Sequence, residues 1–207
     1  HDLESPEEIG QRAGRKTVAK LNPRKVKSQA VPIIFDPRLS GGFVGTFCGA
    51  ISGAAIARGT SFLKDRLGKE VFASGIRIVE DPHVRRGMRS KPFDAEGLAN
   101  HRRNLIEDGV LTTWILDLRS SRQLGLSPTG HATRGTSGPP APSPTNVYME
   151  AGTLSPQELM ADIKQGLYVT EMMGQGVNGV TGDYSRGAAG FWIENGEIAY
   201  PVSEITI

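Results

Sequence analysis

Residues 190–202 read GFWIENGEIAYPV, two apolar, β-prone arms on either side of Asn195-Gly196. Asn-Gly and Asp-Gly are the preferred pairs of a two-residue type I′ turn, because both central positions need positive φ. The same grammar occurs at residues 102–118 (RRNLIEDGVLTTWILDL), where Glu107-Asp108-Gly109 separates the arms. Two independent hairpins imply a largely antiparallel sheet. Helix starts are interleaved with them. Ser5-Pro6-Glu7-Glu8 and Ser155-Pro156-Gln157-Glu158 each place a capping serine before a first-turn proline, with glutamate three residues after the serine. That is the capping-box arrangement. The first helix is expected to reach about Leu21, before Asn22-Pro23, and the second to end near Gly166. The reading is α+β: a largely antiparallel or barrel-like sheet with a few packed helices.

Outward from these anchors, residues 30–35 (AVPIIF) read as a strand, with Pro32 suggesting an edge. Asp36-Pro37 opens a helix whose body carries Gly42, Gly45, Gly49, Gly53 and Ala57 at spacings of three or four. Such spacing puts small residues on one helix face. Each interior glycine costs about 1 kcal/mol relative to alanine, so the stripe implies close approach of another backbone. Residues 61–67 read as a short helical turn and residues 75–79 as extended. Residues 127–145, with Pro128, Pro139, Pro140, Pro142 and Pro144, form a loop longer than most compact-domain connections. Such loops usually carry function or mobility. Residues 167–173 read as a strand, followed by a turn through Gly174, Gly176, Gly179 and Gly182; strand resumes from Tyr184.

The 207 residues are 38% hydrophobic and 22% charged, an ordinary balance for a soluble globular protein. A core of this size needs no disulfide, and the single cysteine, Cys48, fits a reducing cytoplasm. No apolar run approaches the roughly 20 residues of a membrane span, and no signal peptide is evident. The start at His1 suggests a fragment or a trimmed chain. A net charge of +2 is too mild to imply nucleic-acid binding. Basic residues do cluster, at Arg12, Arg15, Lys16, Lys20, Arg24, Lys25 and Lys27, and again at Arg85, Arg86, Arg89 and Lys91. A solvated helix face and a charged loop are the plain reading; an anionic partner or a subunit contact is the sharper one.

Four histidines, His1, His83, His101 and His131, are spaced so that no helical two-histidine zinc motif exists. His83 and His131 read as surface or hydrogen-bonded structural residues. Cys48, between Phe47 and Gly49-Ala50, reads as a packed thiol rather than a nucleophile. The run Gly174-Gln175-Gly176-Val177-Asn178-Gly179 lacks the lysine and following helix of a phosphate loop, so its glycines serve a tight turn or a close backbone. Asp183 and Arg186 form a polar cluster after it. Arg186 has the chemistry of a carboxylate clamp or of a simple salt bridge.

Residues 166–202 (GLYVTEMMGQGVNGVTGDYSRGAAGFWIENGEIAYPV) resemble the C-terminal signature of TldE/PmbA proteins. Phe35-Asp36-Pro37, Gly59-Thr60-Ser61-Phe62, Ser90-Lys91-Pro92-Phe93-Asp94-Ala95-Glu96-Gly97 and Pro144-Thr145-Asn146-Val147-Tyr148 extend the resemblance in order. Residues 1–207 are thus expected to be one C-terminal domain of the family, whose members carry a further N-terminal domain.

The resemblance implies a cytoplasmic TldD/TldE heteromeric metalloprotease acting on small or unfolded peptides, including peptide precursors. Its TldD subunit binds zinc with a helical H-E-x-x-x-H motif and a distal cysteine. Anchored on Gly59-Thr60-Ser61, that motif falls on residues 44–49 here, with Val44, Gly45 and Gly49 in place of histidine, glutamate and histidine. No catalytic or metal residue is therefore assigned, and zinc is expected in a TldD-type partner. Peptide or partner binding is assigned to Asn146, Gly174, Gln175, Gly176, Asn178, Asp183 and Arg186, on loops expected to face the cleft. Self-association is the other partner considered; membrane and nucleic acid are not expected. The alternatives are an autonomous peptidase with a metal gathered by His83, His101, His131 and acidic residues, and a DNA- or gyrase-associated regulator.

Overall fold

Both turn pairs adopt the conformations their residues dictate: φ is 48° and 79° at Asp108 and Gly109, and 49° and 84° at Asn195 and Gly196. The computed structural model describes residues 4–174 and 176–207. His1 and Gln175 lie outside them. Along the chain come α1 (Pro6–Val18), β1 (Ile33–Phe35), α2 (Pro37–Ala50) and α3 (Gly53–Ala57). Next are β2 (Ile78–Asp81), β3 (Arg103–Glu107), β4 (Val110–Leu111), α4 (Leu118–Leu124), β5 (Ala132–Thr133), β6 (Ala141–Pro142) and β7 (Asn146–Met149). Then follow α5 (Pro156–Ala161), β8 (Gln165–Met173), β9 (Gly187–Glu194) and β10 (Glu197–Thr206). The fold is α+β, in two compact units. One comprises the chain up to Ser40, Thr153–Val177 and Tyr184–Ile207; the other comprises Gly41–Gly152 and Asn178–Asp183.

In the first unit the sheet order is β1-β8-β9-β10. β8, β9 and β10 are antiparallel neighbours, as the Asn195-Gly196 hairpin demands. β1 instead lies parallel to β8, Ile33 opposite Leu167 and Phe35 opposite Val169. The strand expected over residues 30–35 shrinks to these three residues at an edge, where Pro32 still uses its carbonyl to accept from Leu167 N–H at 3.0 Å. Leu167, Val169, Ala188, Trp192 and Val202 form the core. Each large apolar side chain so buried contributes about 1.5–3 kcal/mol. Ser5 and Ser155 cap α1 and α5 through complete capping boxes. Both helices stop earlier than expected. α1 ends at Val18, and α5 ends at Ala161 because β8 claims the chain from Gln165.

In the second unit the sheet order is β4-β3-β2-β7. Central β2 is buried at Ile78, Val79 and Glu80. Neither four-stranded sheet closes on itself, so the barrel-like option is not what forms; each keeps two edge strands. The arm after Asp108-Gly109 also pairs for only two residues. Beyond Leu111 the chain is drawn to the link between α2 and α3: Ile115 N–H donates to Ile51 O at 3.0 Å, and Gly53 N–H donates to Ile115 O at 2.7 Å. Asp117, expected in a strand, instead caps α4, a helix the sequence reading missed. Residues 61–67 form successive turns, with Lys64 N–H donating to Ser61 O at 3.2 Å and Arg66 N–H to Leu63 O at 2.8 Å.

The small-residue stripe divides. Gly53 belongs to α3, where a Cβ would lie 2.4 Å from Ser120 Oγ and 2.6 Å from Leu116 Cδ2. At Gly42, Gly45 and Gly49, apart from the adjoining residues and the helix's own backbone, no atom lies within 4 Å of the Cβ position. The close backbone expected there is not supplied by the described residues.

Candidate functional site

That open face of α2 is one wall of a groove of about 910 Å³. Gly41, Val44, Gly45, Cys48, Gly49 and Ser52 line this side; Met88, Arg89, Pro142, Pro144, Thr145, Asn146 and Val147 line the other. Opposite the glycines, the wall is built by one amide. Asn146 donates through Nδ2 to Asp81 O at 2.8 Å and to Ser90 Oγ at 2.9 Å, and its Oδ1 accepts from Arg89 N–H at 3.0 Å. These bonds hold the Met88–Arg89 loop against the start of β7.

A buried network anchors the same wall from beneath. Glu80 on β2 accepts from Thr145 N–H at 2.6 Å and Thr145 Oγ1 at 2.8 Å, and it pairs with His131 Nε2. His131 Nδ1 meets Thr129 Oγ1 at 2.6 Å. Glu80 and His131 are 2% and 1% exposed, so no water can replace a lost partner. Burial opposes ionisation of Glu80, yet the His131 and Thr145 bonds outweigh it and hold its carboxyl below the usual range. Cys48 lies among the core residues at the foot of the groove, and burial pushes its thiol up to about 12, with Glu80 adding and Arg89 opposing. A thiol of that kind is not a nucleophile near neutral pH.

A sequence model of the PmbA/TldA metallopeptidase C-terminal domain matches residues 28–207. The chain belongs to the PmbA/TldD family. Metalloprotease PmbA of Escherichia coli O157:H7 is 46% identical over 207 residues, all of this chain and 44% of the relative. The PmbA homologue of Haemophilus influenzae is 45% identical over 205 residues, 99% of this chain and 44% of that protein. Among solved structures, a candidate modulator of DNA gyrase from Thermotoga maritima superposes with a TM-score of 0.88 at 33% identity. It is covered over 47% of its length, against 100% of this chain. TldE of Thermococcus kodakarensis matches with a TM-score of 0.83 at 28% identity, over 95% of this chain and 45% of that one. The chain thus spans somewhat less than half the length of these two curated relatives.

Within the PmbA/TldD framework, the α2 wall does not fit a zinc ion. Val44, Gly45 and Gly49 offer no side-chain donor atom, and Cys48 is a single buried thiol with no second ligand beside it on this wall. Among the described residues no group of three or more His, Cys, Asp or Glu side chains is arranged to hold a metal. His83 Nε2 is bonded to Asn100 Oδ1 at 2.9 Å, and both nitrogens of His131 are engaged in the buried network.

The described residues assigned to binding fall in both units. Asn146 lines the groove, and its amide is spent on the protein's own loop. Asn178 and Asp183 sit in the tight turn of the second unit. Asn178 Oδ1 accepts from Val180 and Thr181 N–H at 3.0 and 3.3 Å, and Asp183 Oδ2 accepts from Thr181 Oγ1 at 2.6 Å. Gly174, Gly176 and Arg186 belong to the first unit. Gly176 O accepts from Ser185 N–H at 2.8 Å, so the close backbone at this glycine is the chain's own. Arg186 exchanges main-chain bonds with Ile207, while its Nε is buried without a partner among the described residues.

Sequence reasoning missed Glu80 and Thr145. Nothing in the spacing of Glu80, Thr129, His131 and Thr145 signals that they meet. The basic clusters are partly neutralised: Arg12 pairs with Glu4, Lys20 with Glu171, Lys25 with Glu204 at 2.6 Å. Lys91 donates to Ala132 O at 2.9 Å. No helix among the described residues is long and apolar enough to cross a membrane.

Proposed function

We propose that the full-length protein is the PmbA/TldE-type subunit of a cytoplasmic TldD/TldE metalloprotease complex acting on small or unfolded peptides. In this reading it supplies a wall of the peptide cleft, and zinc and the general base belong to a TldD-type partner. One observation carries it. The helix face that the family resemblance matches to H-E-x-x-x-H is present, exposed and borders a large groove, while its three key positions hold an aliphatic side chain and two glycines. A groove kept while its metal donors are replaced supports a binding role over hydrolysis by this chain. The metal site gathered from His83, His101 and His131 is less supported, because His131 is committed to the buried Glu80 pair.

The test is reconstitution of the full-length protein with an H-E-x-x-x-H subunit, followed by metal analysis and peptide cleavage. Expected is zinc in the partner alone, with full cleavage only when both subunits are present. Stoichiometric zinc and peptide cleavage by this subunit in isolation would overturn the proposal.

A further inference from the structure

The second unit holds another pocket, of about 380 Å³, between α3, α4 and the β5–β6 hairpin. Pro142 is the one residue it shares with the α2 groove. Its position follows from one close approach. Gly53 opens α3 without a Cβ, which would lie 2.4 Å from Ser120 Oγ, and so α3 rests directly on α4. That contact carries Arg58, the C-cap of α3, and Arg119, in the first turn of α4, to the lining of one pocket. The facing wall is Pro139-Pro140-Ala141-Pro142. Its prolines have ring-locked φ, and Ala141 and Pro142 are paired with Thr133 and Ala132, so this wall is preformed.

The charges in this pocket do not balance within the chain. Asp117, the acidic residue of the lining, is 2% exposed and spends Oδ1 on Ser120 N–H at 2.7 Å and on Ser120 Oγ at 2.5 Å. Among the described residues no carboxylate pairs with Arg58 or Arg119, and neither guanidinium donates a hydrogen bond. Arg12, Arg38 and Arg77, by contrast, each pair with an acid. A concave, mostly apolar surface with a few polar groups on its walls has the anatomy of a small-ligand site. Guanidinium is also the group whose planar fork of donors matches an oxyanion. Two formal positive charges stand against the one of Asp117, so a single further negative charge completes the pocket.

We propose that this pocket binds a small organic molecule bearing one carboxylate, the carboxylate held by Arg58 and Arg119 and an apolar body lying against Ala54 and the proline wall. The site goes beyond the peptide-cleft reading and needs neither the α2 groove nor a partner subunit.

The full-length protein, purified without other subunits, is titrated at low salt with benzoate, benzamide and phenyl phosphate, and binding is followed by ligand-observed NMR. Benzoate is expected to bind saturably. Benzamide, its neutral analogue, is expected to bind about tenfold more weakly, the scale of one hydrogen bond to a charged group. Phenyl phosphate, close to doubly charged at neutral pH, is expected to bind less tightly than benzoate, because Asp117 opposes the second charge. Arg58→Gln combined with Arg119→Gln erases the preference for benzoate over benzamide, and both side chains are exposed, so folding is not at stake. Arg122→Gln, on the same helix but outside the pocket lining, keeps that preference. Ala54→Leu fills the pocket without changing its charge and weakens benzoate binding. Unsaturable benzoate binding, equal binding of benzoate and benzamide by the native protein, or tighter binding of phenyl phosphate overturns the inference. So does an effect of Arg122→Gln as large as that of the double variant, or unchanged benzoate affinity in Ala54→Leu. None of these outcomes depends on zinc or on peptide cleavage, so failure here is separable from failure of the proposed function.

Discussion

Replacing Glu80 by alanine tests whether the buried network holds the groove wall. The carboxylate has three partners, His131 Nε2, Thr145 N–H and Thr145 Oγ1, and all are sealed from water. Removing a buried carboxylate from its hydrogen-bonded partners costs about 3–5 kcal/mol, since the remaining donors stay desolvated. For a chain of this length that lowers Tm by about 6–20 °C. The two tryptophans fall in different units, Trp114 in the core of the second and Trp192 in that of the first. On a Trp192→Phe background, guanidinium denaturation followed by Trp114 fluorescence reports the unit that contains Glu80. Glu80→Gln, which removes the charge and keeps the shape, adds a pH signature. The native carboxyl titrates below its ordinary value of 4.5, so its stabilisation is present above that pH and is lost as pH falls through the lower folded value. The gap between native and Glu80→Gln proteins therefore narrows in acid. A cost under about 1 kcal/mol for Glu80→Ala, or a gap that widens in acid, would refute the network's role.

The glycines divide into two classes with opposite outcomes. Gly45→Ala and Gly49→Ala meet open space and are expected to raise stability by about 0.5–1 kcal/mol each through helix propensity, while Gly53→Ala presses on Leu116 and Ser120 and lowers it by about 1–3 kcal/mol; thermal melts distinguish them. Cys48, 5% exposed and with its thiol pushed up to about 12, is expected to resist iodoacetamide at pH 8 until the protein is unfolded, and rapid alkylation of the folded protein would contradict its packed position. Asn146→Ala removes three hydrogen bonds and is expected to cost about 1–3 kcal/mol. Hydrogen exchange should show the amides of residues 87–90 losing protection first.

Local chemistry was legible wherever a short stretch of residues decides its own conformation. Asp108-Gly109 and Asn195-Gly196 set two turns, Ser5 and Ser155 capped two helices, and the antiparallel character of both sheets followed. Val44, Gly45 and Gly49 were equally legible as positions without metal-donor side chains, because that is a property of residue type alone. Tertiary structure decided what depends on which distant segments meet. It placed β1 parallel to β8, diverted residues 112–117 from the expected strand to the α2–α3 link and the cap of α4, and brought Glu80 to His131 and Thr145. It also left Gly45 and Gly49 facing a groove rather than a neighbouring backbone. A turn or a cap is settled by bonds between residues two to four apart, whose energies the sequence carries locally. A groove wall or a buried hydrogen-bonded pair is settled by packing between segments tens of residues apart, and no local preference encodes that choice.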